Sequence, residues 1–424
     1  MTVDAALRPI DFARPAVVAP LLPPVTLSVV IPALNEEDGI ADIVHRIQAV
    51  APALREVGVE HLEIIVVDDG STDRTAEIVQ SMPGARLVRH PVNRGYGAAI
   101  KTGFLAARGE LLAFTDADGT YPPERFPSLC QAALVDGADV AVGSRRSGAE
   151  SHMPMVRQVG NFIWSNLVSV IGNQRVADPA SGMRVVRRDA LAQLYPLPDG
   201  LNFTPVMSTR SVHEGLKVVE IPIAYSERVG RSKLSVVRDG TRFLKTILWT
   251  SLEYNPARLL GMVGLACVVL AAILAAGLVA LRAQGVTQLG PWGVFCLFTA
   301  MVLSFVVVST FSLGATFNYL VSLFRQEPVR VGLFGRPIFS TPLDRHFWWM
   351  GLTAGGLGIA LAVVALVMGL QGGDISRSWF WMLTSAFLAL IGLQLFISWI
   401  LMRVLEALSE REVRINQEMA RVTP

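Results

Sequence analysis

The sequence predicts an α/β domain on a mainly parallel, doubly wound sheet, followed by an all-α membrane domain of four helices. Three observations carry this. Five strand-then-helix steps follow one another in about 120 residues from Thr26, the alternation expected of a parallel sheet. Acidic residues recur at the C-terminal ends of those strands, where open α/β sheets bind ligands. Four long apolar runs then crowd into residues 257–402, each long enough to cross about 30 Å of hydrocarbon as a helix.

The composition agrees. The 424 residues are 52% hydrophobic and only 17% charged, with a mean hydropathy of +0.46, too apolar for an ordinary soluble protein. A net charge of +2 gives no ground for a nucleic-acid partner, and because 33 of the 37 basic residues are Arg, local placement matters more than the total. Cys130, Cys267 and Cys296 are scattered and odd in number, so they fit neither a disulfide framework nor a zinc site.

Residues 1–26 carry five prolines and interrupting charges, which predicts a flexible tail without a cleaved signal. The first unit is a β-branched strand from Thr26 to Ile31, then PALNEEDG, with Asn35 expected to cap a helix over about 36–50. The second is Glu63 to Val67, then DDGSTD and a helix from about Asp73 capped by Ser71 or Thr72. A third strand, Arg86 to His90, leads through NRGYG to an Ala-rich helix ending near Arg108. The fourth, Leu111 to Phe114, delivers Asp116 and Asp118, with Ala117 between them and Gly119 and two prolines turning the chain away. Two carboxylates so placed can share a hard divalent cation with phosphate oxygens. Taken alone, a DxD reads as an acidic turn capping the helix from Pro123. A fifth strand, Asp139 to Val142, ends in GSRR, presenting Arg145 and Arg146.

From residue 150 the pattern becomes mixed: a helix from Met155 to Ile171, a helix near 203–214 and a strand from Val218 to Tyr225. SERVGRSKLS then gathers Arg228, Arg231, Ser232 and Lys233; by itself it is a solvated basic turn. Val236 to Tyr254 sets Arg238, Arg242 and Lys245 at helical spacing beside an apolar face, as an interfacial helix on anionic lipid does. The spans are read as about 257–281, 292–321, 348–370 and 379–402, with seven of the eight tryptophans in or beside them. Arginines favour the loop 322–347 and the tail 403–424. By the positive-inside rule the first domain, that loop and the C-terminus are cytoplasmic, giving a multi-pass protein of the cytoplasmic (inner) membrane. In the tail, Leu408, Ile415 and Val422 stand at heptad spacing, so it is either a short oligomerising helix, which would add a homo-oligomer, or a solvated one. No acidic or basic residue sits mid-span, which weighs against an ion-coupled transporter.

Read together and in order, VVIPALNEE, VVDDGST, NRGYGAAIKTGF, TDADGTYPPE, GSRR, DPASGMR and ERVGRSKLS resemble the family 2 glycosyltransferases of the GT-A fold. The closest likeness is to the dolichol-phosphate mannose synthase-like, polyprenyl-phosphate glycosyltransferases, some of which carry C-terminal membrane helices. The resemblance covers about 27–245. It implies a GT-A catalytic domain at 27–235, an interfacial helix at 236–256 and a four-helix membrane domain at 257–402. It further implies that Pro32, Leu34 and Glu36 line the base and ribose pocket beside Asp69, and that Asp116 and Asp118, with Ala117, bind the donor diphosphate through Mg²⁺ or Mn²⁺. Arg145, Arg228, Arg231, Ser232 and Lys233 then form the phosphate-binding set. Two positions depart from the pattern: Thr120 stands where relatives often carry a Gln able to join the metal, and Leu34 where they often carry an aromatic.

The expected reaction is inverting transfer of a hexose from a UDP- or GDP-sugar to a polyprenyl (undecaprenyl or dolichyl) phosphate at the bilayer. That acceptor is already largely ionised near neutral pH, since the second pKa of a phosphate monoester is about 6, and no His lies in any motif core. Asp178 is the candidate for orienting the acceptor or acting as a weak base, against a plain role capping the turn at Pro179; Asp118 is the other residue expected to be essential for catalysis. His152 and His213 are read as ordinary polar residues. Two rival readings remain at this point. A processive polysaccharide synthase would carry QxxRW before its membrane helices, but Gln158 and Gln394 lack the following Arg-Trp. A non-catalytic scaffold would have lost the acids or the basic motif, and both are intact.

Overall fold

A computed structural model describes residues 24–145, 155–172, 174–225, 236–286, 288–325, 343–371 and 375–422. In chain order the elements are β1 (Val25–Ala33), α1 (Ile40–Ala49), α2 (Ala51–Glu56), β2 (Val59–Asp68), α3 (Thr75–Ser81), β3 (Ala85–Arg89), α4 (Tyr96–Ala106), β4 (Leu111–Phe114), α5 (Phe126–Leu134) and β5 (Val140–Ser144). They continue with α6 (Met155–Gly172), β6 (Arg184–Arg187), α7 (Arg188–Leu194), α8 (Phe203–His213), β7 (Val218–Pro222), α9 (Val236–Tyr254), α10 (Pro256–Ala283), α11 (Pro291–Arg325), α12 (Phe347–Leu370) and α13 (Ile375–Val422). The chain forms two compact units that interleave in sequence, the first holding the sheet and the second the membrane-type helices.

In the first unit a seven-stranded sheet runs β3-β2-β1-β4-β6-β5-β7. β1 pairs in parallel with β2 and β4, β2 with β3, and β5 with β7. Both faces of the central strands are covered, hence the unbroken apolar runs. Leu27, Val29, Ile31 and Ala33 of β1 pack with Ile40, Ile43, Val44 and Ile47 of α1 and with Phe126, Leu129 and Cys130 of α5. On the other face α4 comes so close that a side-chain carbon at Gly103 would collide with Val30, and Phe114 meets Phe104 and Phe203 edge-on.

The sheet is mainly parallel, as the sequence predicts, and includes a strand the sequence did not announce: β6 runs antiparallel between β4 and β5. Its four residues, RVVR, follow a proline-and-glycine loop and lead directly into α7, so no run was long enough to announce a strand. Asn35 caps no helix. It sits at φ 52°, and α1 begins only at Ile40, after a turn in which Gly39 and Ile40 donate to the Glu36 carbonyl. Nor do Ser71 or Thr72 cap α3, which starts at Thr75, where Asp73 Oδ1 accepts from the Thr75 amide at 3.0 Å. In each case the polar side chain is drawn to a neighbouring loop instead.

In the second unit, Val168 of α6, Val176, Val212 of α8 and Ile247 of α9 form a small core with Trp164 and Leu167 against it. His213 stacks on Tyr254 with ring centres 5.1 Å apart. α9 covers the residues expected of the interfacial helix, with Ile247 buried and Arg242 and Lys245 exposed. Asn255 Oδ1 then caps α10 by accepting from the Arg258 amide at 3.1 Å, with Pro256 at its first turn. Among the described residues, four helices are long and apolar enough to cross a membrane, over 256–283, 291–321, 343–370 and 380–408. Their contacts use small residues, as membrane helices do: Gly351, Gly355 and Gly358 of α12 lie against Gly392 and Ala389 of α13, and Gly264 of α10 faces Thr310 of α11. Tyr319 and Arg403 each donate to Asp344 Oδ2 at 2.9 Å. The tail is not a separate element, because α13 continues through it to Val422.

Candidate functional site

Parallel pairing brings the C-terminal ends of β2, β1 and β4, three neighbours in the sheet, to one edge. Pro32 lies one residue before the end of β1, opposite Val67, and Leu34 and Glu36 follow the strand, all three half-buried. The loop they lie in is laced to the loop after β2. The amides of Asn35, Glu36 and Glu37 donate to Ser71 Oγ at 2.9 Å, Thr75 Oγ1 at 2.9 Å and Asp73 Oδ2 at 3.2 Å. In return Asn35 Oδ1 accepts from the Thr72 amide at 2.8 Å, and Glu37 accepts from the Arg74 amide at 3.1 Å. Two loops that hold each other's backbone in this way form a fixed wall at the strand ends.

Asp69 lies between these loops and NRGYG. It is 4% exposed, and its carboxylate is bonded within the protein: Oδ1 accepts from the Arg94 amide and Oδ2 from the Gly95 amide, each at 2.8 Å, with His90 Nδ1 2.7 Å from Oδ1. His90 Nε2 lies 2.9 Å from Thr102 Oγ1 on α4. Gly95, at φ 106°, passes so near Asp199 that a side-chain carbon would stand 2.5 Å from its carbonyl oxygen. Asp69 therefore anchors the start of α4.

The first residue of α4, Tyr96, reaches the acidic pair, its hydroxyl donating to Asp116 Oδ1 at 2.7 Å. Desolvation of that hydroxyl, with the Asp116 charge beside it, holds the phenol well above its ordinary pKa, so it stays a donor. Ala117 is buried at 3% exposure, which leaves the two flanking carboxylates half-buried at the turn. Asp118 Oδ1 accepts from both the amide and the hydroxyl of Thr120, at 3.2 Å and 2.6 Å. Asp116 and Asp118 thus present two half-buried carboxylates at the end of β4.

Because β6 runs backward, its first residues, not its last, arrive at this edge. Gly182 stands directly behind Asp116: a side-chain carbon there would lie 2.7 Å from Oδ2. Its amide donates to the Tyr121 hydroxyl at 2.7 Å. Arg184 is fully buried, with Nε donating to the Ser181 carbonyl at 3.1 Å, and its charge acts on Tyr96. Arg145, at the end of β5, lies over the rings of Tyr121 and Tyr225, 6.0 Å and 5.5 Å from their centres. The rings themselves meet edge-on at 5.7 Å.

Pro32, Leu34, Glu36, Asp69, Asp116, Ala117, Asp118 and Arg145 thus belong to one unit, at its strand ends. Asp178 belongs to the other, where it is fully buried and accepts from Asn161 Nδ2 at 3.0 Å. Arg228, Arg231, Ser232 and Lys233 lie outside the described residues. Sequence reasoning missed Tyr96, Tyr121, Gly182 and Arg184. A signal existed for the first, a lone aromatic between the two glycines of NRGYG, but none for a contact that depends on a reversed strand.

Residues 28–195 match the family described as Glycosyl transferase family 2, and 256–416 match a Domain of unknown function (DUF8752). The chain is 35% identical over 252 residues to the low-salt glycan biosynthesis hexosyltransferase Agl6 of Haloferax volcanii, covering 58% of this chain and 59% of that protein. It is 32% identical to a dolichyl-phosphate hexose transferase of the same organism, over 54% of this chain and 94% of that one. It is 30% identical to an undecaprenyl-phosphate 4-deoxy-4-formamido-L-arabinose transferase of Pectobacterium carotovorum, over 75% and 95%. These matches, over a sheet with paired acids at its central strand ends, show that the chain belongs to glycosyltransferase family 2.

Proposed function

We propose that the protein transfers a hexose, with inversion, from a UDP- or GDP-sugar to a membrane polyprenyl phosphate, with Mg²⁺ or Mn²⁺ at Asp116 and Asp118. The observation that carries this reading is the union, in one chain, of the Asp116–Asp118 turn and four membrane-type helices. Two of the similar proteins are named for dolichyl- or undecaprenyl-phosphate transfer and are covered over 94% and 95% of their length. The donor set supports a hard cation: two carboxylates and no sulfur or imidazole, the share a protein gives Mg²⁺ when phosphates and water supply the rest. Such a cation would neutralise charge on the departing diphosphate.

The remaining work falls to the chain's own residues. The laced loops at Leu34–Glu36 and Ser71–Thr75 form the wall against which base and ribose bind. Arg145, held by two tyrosine rings, supplies a fixed guanidinium for phosphate. Arg228, Arg231, Ser232 and Lys233 bind the acceptor phosphate just before α9, which lies along the bilayer surface. An acceptor phosphate oxygen attacks the anomeric carbon; that C–O bond forms as the bond to the donor diphosphate breaks, its electron pair leaving on the diphosphate oxygen. The nucleophile is already an anion, so no strong base is required. With four crossings, the catalytic domain and the C-terminus share the cytoplasmic side of the inner membrane.

The test is to give membranes containing the protein a divalent ion, undecaprenyl phosphate and a panel of labelled UDP- and GDP-sugars. An organic-extractable, acid-labile sugar lipid is expected. Labelled polymer, or no product with any donor, would overturn the reading.

A further inference from the structure

Both acids of the TDADGT turn receive a hydrogen bond from a hydroxyl on their Oδ1 atoms. Tyr96 Oη lies 2.7 Å from Asp116 and Thr120 Oγ1 lies 2.6 Å from Asp118, short distances of the kind made by O–H donors to an anionic oxygen. The donors come from different places. Thr120 is two residues along the same turn and 1% exposed, whereas Tyr96 comes from the start of α4. A carboxylate's terminal torsion is broad and roughly two-fold, so an aspartate without such a partner swings through a wide arc. Two chemically similar restraints on two neighbouring carboxylates leave a pair of fixed oxygens instead.

The backbone behind Tyr96 is fixed as well. Asp69 holds the Arg94 and Gly95 amides with its two oxygens, His90 bridges Asp69 to Thr102, and Thr102 lies on the same helix as Tyr96. This closed loop of contacts sets where the phenol stands before any ligand arrives.

We propose that Tyr96 and Thr120 are positioning residues, whose hydroxyls orient Asp116 and Asp118 to receive the cation and donor diphosphate. This rests on the metal reading of the two acids given above. It also gives Thr120 a role of its own: it aligns an acid ligand rather than adding a further one. Outer-shell partners of this kind typically account for about 10- to 100-fold in metal affinity or activity when removed.

The experiment uses the full chain, purified in detergent, with Tyr96→Phe, Thr120→Val, Thr120→Ser and Asp118→Ala. Mn²⁺ binding is read from the free-ion paramagnetic resonance signal, with UDP or GDP present, and turnover is followed as Mn²⁺ is raised. Tyr96→Phe and Thr120→Val are expected to bind Mn²⁺ at least about 10-fold more weakly and to regain turnover at high Mn²⁺, with Thr120→Ser near wild type. Unchanged Mn²⁺ affinity in the Phe and Val variants, with binding lost in Asp118→Ala, would overturn the positioning role and leave the metal site standing. Wild-type Mn²⁺ binding by Asp118→Ala would overturn the metal reading itself. Thermal melts identify any variant that fails to fold; should Thr120→Val do so, Tyr96→Phe, which loses one oxygen atom, decides the question.

Discussion

Replacing Gly182 by Ala perturbs the acidic pair through one added carbon. Gly182 has no positive φ, so alanine fits its backbone and the whole effect comes from the contact. The new carbon would stand 2.7 Å from Asp116 Oδ2 and 3.0 Å from both Cγ and Oδ1. Ordinary contacts to carbon lie near 3.5 Å, so the carboxylate has to retreat by roughly 0.5 Å or more. Its other side is held by the Tyr96 hydroxyl at 2.7 Å, so the retreat breaks or bends that bond. Oxygen-to-cation distances are only about 2.0–2.6 Å, and misplacements of about 1 Å can cost roughly 100-fold in rate. A fall in turnover of about 10- to 100-fold is expected, with a raised Mn²⁺ requirement and an unchanged melting temperature. The assay is sugar-lipid formation across a Mn²⁺ series. Wild-type turnover at limiting Mn²⁺ would refute the idea that Gly182 is the back wall of Asp116.

Three further outcomes are expected. Lys233→Ala should raise the KM for polyprenyl phosphate while leaving the KM for the nucleotide sugar unchanged; equal effects on both would deny it an acceptor role. Asn35→Ala puts a side chain other than glycine or asparagine at φ 52° and removes the acceptor for Thr72, costing about 1–3 kcal/mol from left-handed strain and a lost hydrogen bond. Asn35→Gly relieves only the strain, so thermal melts of the two separate the parts. Cys130 is buried and its thiol is pushed up to about 12 by desolvation. It should therefore resist alkylation at pH 8 in the native protein and react once the domain is unfolded, as mass spectrometry of the 126–134 region would show.

What the sequence made legible followed from local pattern. Strand β4 and the span helices could be placed because a buried apolar run and a long one each leave few alternatives. The paired acids were visible because one small residue separates them at a strand end. What stayed hidden depends on distant partners. Asn35 and Ser71 look like helix caps, since their side chains can bond local amides, but each other's loop offered closer donors and acceptors, and α1 and α3 began later. β6 carries only four residues, and its direction is set by its neighbours. Asp69 resembled a ligand residue by position, and only the fold shows its oxygens committed to the Arg94 and Gly95 amides.

The backward strand also sets an order of assembly. β5 lies between β6 and β7 in the sheet, and β6 is the strand that joins it to β4. Strands β1 to β4 can therefore pair as they leave the ribosome, but β5 must wait for a partner made roughly 40 residues later. At about 5–20 residues per second that is a delay of roughly 2–8 s. During it the apolar segment Val140–Val142 has no sheet to join, and the edge of β4 stays open. The wall behind Asp116 is completed only then, so a nascent chain carries its acids, with Tyr96 and Thr120 beside them, before Gly182 stands behind Asp116.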